Sequence, residues 1–467
     1  MKIDDTLRPA HLEASVRDVF EVAGTKLELI RSSWDPSQGT PVFTVEGKYT
    51  SRGWTEWTQG FLYGMALLHF DATGHRASLE FGRESTASGM AAHLTHTGVH
   101  DHGFNNVSTY GNLLRLMSEE RLPPEPWESR FYSLALKVSG AVQAARWTAL
   151  PDNLGYIYSF NGPHSLFIDT MRTLRVLGIG HNLGHVLMAE QDRRVSLLER
   201  LLRHCVTTAR YNVFHGEGRD AYDVRGRVSH EAIFNTVDGS YRCPSSQQGY
   251  SAFSTWTRGL AWAICGFAEQ LEYLSDLPGG EFEGLAVGGL TGKSSLVGML
   301  QGVAEEVADY YIQSSPRDGI PYWDTGAPGM MHLKDYLDKP ADPFNNFEPV
   351  DSSAAAIAAQ GLIRLGRHLQ SQGLAERGRK YQQAGLTVAC SLFREPYLST
   401  DPEHQGLILH SVYHRPNGWD HIPRGRKVPC GESSLWGDYH ALELALLIQR
   451  LAQGSYFTFF NVRQQSQ

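Results

Sequence analysis

The chain has little of what marks a secreted, membrane-spanning or zinc-binding protein. Its 467 residues include only five cysteines, which are scattered along the sequence. No two of them have the Cys-x-x-Cys spacing, so neither a structural zinc site nor a disulfide framework is predicted. No run of 18 apolar residues exists, and residues 1–10 contain no apolar signal segment. The sequence therefore predicts a protein that spans no membrane and works in the cytoplasm.

Basic residues are also fewer than acidic residues. Lysine and arginine number 42 against 50 aspartates and glutamates, and the formal net charge is −8. This deficit argues against a nucleic-acid partner, and any anionic ligand must be attracted by cations close to its own site. Apolar residues make up 41% of the chain and aromatic residues 11%, which is enough for a large core. No change of composition marks a linker, so a single domain over residues 1–467 is expected.

Apolar residues recur at helical spacing through most of the chain. Residues 211–245 are richer in turn signals and favour short strands. Asp351 is a candidate N-cap for the helix that follows it. The pattern as a whole predicts a large all-α protein. Helices are predicted over residues 11–32, 57–70, 72–96, 107–120, 128–148, 165–178, 186–209, 256–276, 294–313, 352–370, 374–393 and 435–452.

The segment 245–267 is dense in groups that bind sugars. Gln248 offers an amide, and Tyr250, Trp256 and Trp262 offer aromatic faces. Arg258 offers a guanidinium fork that can hold a carboxylate through two hydrogen bonds. Because Arg258 and Trp262 lie four residues apart on a predicted helix, they share one face of it. The set suits a flat anionic ring, and the alternative is that Arg258 forms a structural ion pair.

Asp101 is the first candidate for acid–base chemistry. It lies between His100 and His102 in a glycine loop, where neighbouring imidazoles can shift its pKa over a wide range. The alternative is that Asp101 caps the helix that begins near Asn105.

Asp169 is the second candidate. It lies in the apolar stretch 165–171, which is predicted to be helical. Burial there is expected to raise the pKa of Asp169, so that it holds a proton near neutrality. The alternatives are a helix cap or an ion pair with Arg172, three residues later.

Two further side chains have uncertain roles when taken alone. His230 lies between turn signals, where a single histidine is usually a hydrogen-bonded structural residue. Trp57 precedes an apolar helical stretch, and an indole in that position is more often part of the core than a ligand platform.

Nine motifs occur in order along the chain. They are W-T-Q-G-F-L-Y-G (57–64), H-D-H-G-F (100–104), F-I-D-T-M (167–171), H-E-A-I-F (230–234), Q-G-Y-S-A-F-S-T-W-T-R-G-L-A-W (248–262), A-D-Y (308–310), P-Y-W-D (321–324), D-S-S-A-A-A-I-A-A (351–359) and G-D-Y-H (437–440). Taken together, they resemble the unsaturated glucuronyl hydrolases, glycoside hydrolase family 88. The resemblance implies an (α/α)6 barrel with its site at one end of the barrel. It also implies substrates that are oligosaccharides left by polysaccharide lyases, each ending in a Δ4,5-unsaturated glucuronate.

The reaction implied by the resemblance is hydration of the C4=C5 enol ether, after which a hemiketal collapses and releases a 4-deoxy-5-keto uronate. Asp169 maps onto the family's acid/base residue, and Asp101 onto its second aspartate. No metal or cofactor is implied. The family's substrate-contacting positions fall on Trp57, His100, His230, Gln248, Arg258 and Trp262.

The chain also departs from the family pattern. An indole platform is replaced by Phe160, and the family's Met-Asn pair after the catalytic aspartate is broken by Arg172. Three alternatives remain open at this point. They are a polysaccharide lyase, an unsaturated galacturonyl-rhamnose hydrolase on the same fold, and a uronate-binding protein without catalysis.

Overall fold

The structure is a computed structural model that describes residues 1–53, 56–123 and 125–462. Within that part of the chain we label twelve helical elements. Two of them are interrupted: α4 runs through a π-helical turn, and α6 consists of two segments. The elements are α1 (Glu13–Ser33), α2 (Gln59–Thr73), α3 (Arg76–Gly89), α4 (His102–Asn106, Val107–Gly111 and Asn112–Ser118), α5 (Pro126–Ala145), α6 (Thr170–Thr173 and Arg175–Asn182), α7 (Leu197–Tyr211), α8 (Thr257–Asp276), α9 (Gly292–Ser314), α10 (Ser352–Ser371), α11 (Ala375–Leu392) and α12 (Leu435–Ala452).

The twelve helices form two concentric rings. The even-numbered helices contact one another in the closed order α2, α4, α6, α8, α10, α12 and back to α2. Most of their residues are buried, because they pack both on their ring neighbours and on an outer helix. The odd-numbered helices lie outside, and α1, α3 and α9 bury only one stripe each. The expectation of an all-α fold is confirmed, and no described helix has the length and apolar character needed to cross a bilayer.

Short strands lie in the connections between helices. Strand β5 pairs antiparallel with β8, and β8 with β9, whereas the other strands form two-stranded hairpins. The strands are β1 (Phe43–Val45), β2 (Lys48–Thr50), β3 (Trp147–Leu150), β4 (Leu154–Ile157), β5 (Ser165–Phe167), β6 (Val186–Met188), β7 (Arg194–Ser196), β8 (Glu231–Phe234), β9 (Tyr241–Ser245), β10 (Ala286–Val287) and β11 (Leu290–Thr291).

Three predicted boundaries are wrong. The helix predicted over 165–178 begins instead as β5, and its helical part starts only at Thr170. The helix predicted over 186–209 begins with the hairpin β6–β7 and becomes helical at Leu197. The helix predicted over 72–96 breaks at Gly74, which adopts the left-handed conformation that glycine favours. Residues 54 and 55 lie outside the described residues.

All six inner helices begin at the same end of the barrel. Residues from the predicted site stand at or near several of these starts: Trp57 before α2, Asp101 before α4, Asp169 before α6 and Arg258 in the first turn of α8. Helix N-termini carry unpaired N–H groups and partial positive charge. The fold therefore gives this end of an otherwise acidic protein a local field that favours anions.

Candidate active site

His100, Asp101 and Asp169 lie together and form what we call the reaction cluster. The Nε2 atom of His100 is 3.3 Å from Oδ1 of Asp169 and 3.8 Å from Oδ1 of Asp101. Both aspartates occupy N-cap positions, yet neither side chain caps its helix. Aspartate at this position normally bonds the first N–H groups of the helix. The capping role considered for both residues is therefore absent, and the two carboxylates face the cavity instead.

Close packing of α4 against α6 brings the two aspartates together. A Cβ atom on Gly103 would lie 1.9 Å from the carbonyl oxygen of Thr173, so this crossing requires a glycine. The other support is β5, where the N–H of Ile168 donates to the carbonyl of His230 at 2.9 Å. Asp169 thus follows directly from a strand that is fixed by the sheet, and it does not lie inside a helix.

The charges of the cluster differ from the expectation for Asp169. Burial alone would raise its pKa, but the charge and hydrogen bond of His100, together with the charge of His230, lower it. The prediction of a raised pKa at Asp169 is therefore wrong for the free protein. Burial raises the pKa of Asp101, and the charge of Asp169 raises it further, although His100 partly offsets both effects. Burial would lower the pKa of His100, but the two carboxylates outweigh it and raise that pKa.

The reaction cluster opens into a cavity of about 480 Å³ with an aromatic floor. The ring of Trp57 stacks on Trp436 at 5.2 Å between centroids, and Phe104 contacts Trp262 at 4.8 Å. This volume lies within the range of small-ligand sites, and aromatic faces suit the flat apolar side of a sugar ring. Seven of the eight predicted site residues line it: Trp57, His100, Asp101, Asp169, Gln248, Arg258 and Trp262.

Arg258 has protein partners at both terminal nitrogens. Its Nη1 lies 2.8 Å from Asp351 and also donates to the carbonyl of Val412, whereas its Nη2 donates to Gln248 at 2.9 Å and to the carbonyl of Tyr413 at 2.8 Å. The structural ion pair considered for Arg258 is therefore present. The same side chain also lines the cavity. A ligand can therefore bind Arg258 either alongside these protein partners or by displacing one of them. Asp351 also caps α10, as predicted.

His230 is the predicted site residue that lies behind the cavity wall. Its Nδ1 accepts hydrogen bonds from the backbone N–H groups of Gln247 at 3.0 Å and Gln248 at 3.3 Å. Burial lowers the pKa of His230 to about 4, so the ring is neutral at physiological pH. In this position His230 holds the loop that carries Gln248 into the site.

A larger groove, of about 670 Å³, lies on the outside of the barrel between α1, α2 and α3. Its lining includes His69, His75 and Ser78. Four of the nine sequence motifs contribute residues to the smaller cavity, and none contributes to this groove.

Comparisons with known proteins concern the chain as a whole. No protein-family model matches the chain. The unsaturated glucuronyl hydrolase of Bacillus sp. (strain GL1) is 27% identical over 419 residues, which cover 88% of this chain and 90% of that protein. The unsaturated glucuronyl hydrolase of Formosa agariphila is 24% identical over 396 residues, or 83% of this chain and 78% of that protein.

The fold is similar to solved structures of such enzymes. The crystal structure of the Bacillus sp. GL1 unsaturated glucuronyl hydrolase superposes with a TM-score of 0.68 at 22% identity, covering 93% of this chain and 96% of that one. An unsaturated glucuronyl hydrolase described as specific for heparin superposes with a TM-score of 0.69 at 18% identity, covering 94% and 98%. The fold is therefore the (α/α)6 barrel expected from the motifs. The chain is similar in sequence and in fold to unsaturated glucuronyl hydrolases over most of its length.

Besides Phe160, several residues that line the cavity were not among the eight predicted site residues. Trp256 is one of the aromatic residues noted in the segment 245–267, and Gln247 directly precedes Gln248. Val99 directly precedes His100, and Phe104 lies in the same motif. Four residues come from the loop 413–419, which matches no motif and reaches the cavity only through the fold. They are Tyr413, His414, Asn417 and Trp419.

The two departures from the family pattern fall in different places. Phe160 lines the cavity and stacks on the ring of His100, with 6.1 Å between centroids and 27° between planes. Arg172 points away from the cavity into a group of buried charges that we call the sealed cluster. Its Nη1 and Nη2 each lie 2.7 Å from a glutamate oxygen. The sealed cluster consists of Arg172, Arg175, Arg364, Glu269, Glu272 and Glu443.

Proposed function

We propose that the protein removes a terminal Δ4,5-unsaturated glucuronate from lyase-generated oligosaccharides by adding water across the C4=C5 bond. One observation carries the proposal. The fold brings Asp101, Asp169 and His100, which lie up to 69 residues apart, into one cavity that is floored by aromatic rings and ringed by helix N-termini. Relatives named for this activity match most of the chain.

The chemistry needs one group that first gives and then takes a proton. Asp169 donates a proton to C4, and positive charge develops at C5 and the ring oxygen. Water then attacks C5 while Asp169 accepts a proton from that water. Asp101 accepts hydrogen bonds from ring hydroxyls and stabilises the developing charge. The hemiketal formed at C5 opens and expels the sugar that was attached at C1. No step uses a metal or a cofactor.

The remaining predicted residues position the sugar ring. Trp57 and Trp262 offer aromatic surface for the flat face of the unsaturated ring. Arg258 and Gln248 form one hydrogen-bonded unit on the cavity wall, and we propose that they meet the uronate carboxylate together. His230 fixes the loop that holds Gln248 in that place.

A panel of lyase-generated disaccharides tests the proposal. Hydration removes the conjugated double bond, so we expect the ultraviolet absorbance of the unsaturated uronate to fall with time. In heavy water the product should carry deuterium at C4, because C4 is the atom that is protonated. A saturated disaccharide is the control and should not react. Absorbance that rises on intact polysaccharide would identify a lyase, and tight binding without any change would identify a binding protein.

We also propose a single catalytic domain and a cytoplasmic location. One cluster of buried apolar residues extends from Leu12 to Val462 and supports the first. The five cysteines, which are all free, are consistent with a reducing compartment and support the second.

A further inference from the structure

His100 is placed where a proton can be shared between the two aspartates. Its ring is 1% exposed, and its Nε2 atom faces Oδ1 of Asp169 and Oδ1 of Asp101. The ring of Phe160 stacks above it, and Phe167 meets it edge-on at 5.6 Å. While both carboxylates are ionised, Nε2 must carry a proton, because an unprotonated nitrogen would present a lone pair to two anions.

The other charged and titratable groups around His100 cannot take over this proton. The guanidinium of Arg146 is fixed by the backbone carbonyls of Tyr158, Ser159 and Thr97. Burial lowers the pKa of His204 to about 3 and that of His230 to about 4. Both rings also accept a backbone N–H at Nδ1. Of these three imidazoles, His100 is the one that faces both carboxylates, and their charges raise its pKa.

We propose that His100 stores the proton that Asp169 delivers to the substrate, an inference that rests on the proposed function. In the free protein the pair is an imidazolium and a carboxylate. When the sugar enters, the proton moves from Nε2 of His100 to Oδ1 of Asp169, leaving a neutral imidazole and a carboxylic acid. The acid protonates C4, regains a proton from the attacking water and returns it to His100. One water is consumed in each cycle, and the protein is unchanged.

Loss of water explains why binding moves the proton. The side chains of Asp101 and Asp169 are 10% and 11% exposed, so solvent still reaches them in the open cavity. A sugar ring that displaces this solvent lowers the local dielectric, which penalises two separated charges more than two neutral groups. The Nδ1 atom of His100 has no hydrogen-bond partner among the described residues. No protein group at that atom therefore holds His100 in its charged form.

Titration of His100 in the free protein tests the stored proton without any substrate. In protein with ¹⁵N-labelled histidine, we expect the His100 ring to be an imidazolium at pH 7 and to become neutral at that pH in Asp169→Asn. His204 and His230 serve as internal controls and should be neutral in both proteins. A His100 ring that is neutral at pH 7 in the wild-type protein would overturn the proposal.

The pH profile of His100→Gln tests the transfer step. We expect the basic limb of kcat/KM to move to lower pH, because Asp169 must then bind its proton unaided. At pH 7 the loss should be about 10- to 100-fold, and much of it should recover as the pH is lowered. A purely structural role predicts an equal loss at every pH, and that result would refute the relay. His75→Gln, an exposed histidine, is the control and should keep the wild-type profile. If the wild-type protein turns over no unsaturated disaccharide, the proposed function fails, whereas the titration still reports on the stored proton.

Discussion

Two ionic clusters meet at the start of α6, and they differ in charge balance and in access to water. The reaction cluster sets two carboxylates against one imidazole and opens into the cavity. The sealed cluster begins at Arg172, three residues after Asp169, and contains three arginines and three glutamates. Its side chains are at most 9% exposed. Burial would raise the pKa of Glu443, but the charges of Arg172 and Arg175 hold it well below its ordinary range. Excess negative charge with access to solvent leaves a proton free to move, whereas the buried arginines beside Glu443 keep that carboxylate ionised.

The largest expected effect comes from changing the reaction cluster. We expect Asp169→Asn to lower kcat by about 10²–10⁴-fold, because an amide cannot deliver a proton to C4. Binding of the unsaturated disaccharide and the melting temperature should stay close to wild type, since the cluster is not built for stability. Stopped assays and calorimetry with the same preparations measure both. Asp18→Asn, at an exposed aspartate of α1, is the control. Wild-type turnover in Asp169→Asn would remove this residue from the mechanism.

The sealed cluster should respond in the opposite way. Arg172→Met leaves Glu443 and Glu269 with fewer partners in a buried region, and we expect a loss of about 3–5 kcal/mol of unfolding free energy. For a chain of this length, 1 kcal/mol corresponds to about 1 °C, so the melting temperature should fall by about 3–5 °C. The matched control is Arg31→Met, whose exposed pair with Glu28 should contribute about 0–1 kcal/mol. A large drop in kcat with unchanged stability would contradict the division between the clusters.

Some elements of the fold could be predicted from the sequence, and others could not. Inner helices such as α8 and α10 were predicted to within a residue or two, because segments that are apolar over a wide arc must be buried on two sides. The strand β5 was missed, because its partner β8 lies more than sixty residues later and the apolar run 165–168 fits either structure. Motif resemblance found seven of the residues that line the cavity.

The charges of the site could not be read from local sequence. The neighbours of Asp169 along the chain are apolar, and they suggested a raised pKa. The groups that lower this pKa, His100 and His230, lie 69 and 61 residues away and reach Asp169 only through the fold. The partners of Arg258 at Asp351 and in the loop 413–419 were unpredictable for the same reason.

The smallest expected effect concerns the edge of the sealed cluster. Glu272 lies 2.8 Å from Arg364 and accepts a hydrogen bond from Tyr456, but burial raises its pKa to about 7 despite the charge of Arg364. Its ordinary pKa is 4.5, so the unfolded chain releases this proton at lower pH than the folded protein does. The stability contributed by Glu272 is therefore complete below pH 4.5 and is lost as the pH rises through about 7.

Glu272→Gln removes this titration while keeping an oxygen that can accept from Arg364. We expect the melting temperature of the wild-type protein to fall relative to that of Glu272→Gln by about 1–3 °C between pH 4.5 and 7.5. Calorimetry of both proteins across this range measures the difference. Glu283→Gln, at an exposed carboxylate, should show no such trend. Parallel curves for the wild-type protein and Glu272→Gln would mean that Glu272 is ionised across this whole pH range. Glu272 would then form a fully charged ion pair with Arg364, like the other carboxylates of the sealed cluster.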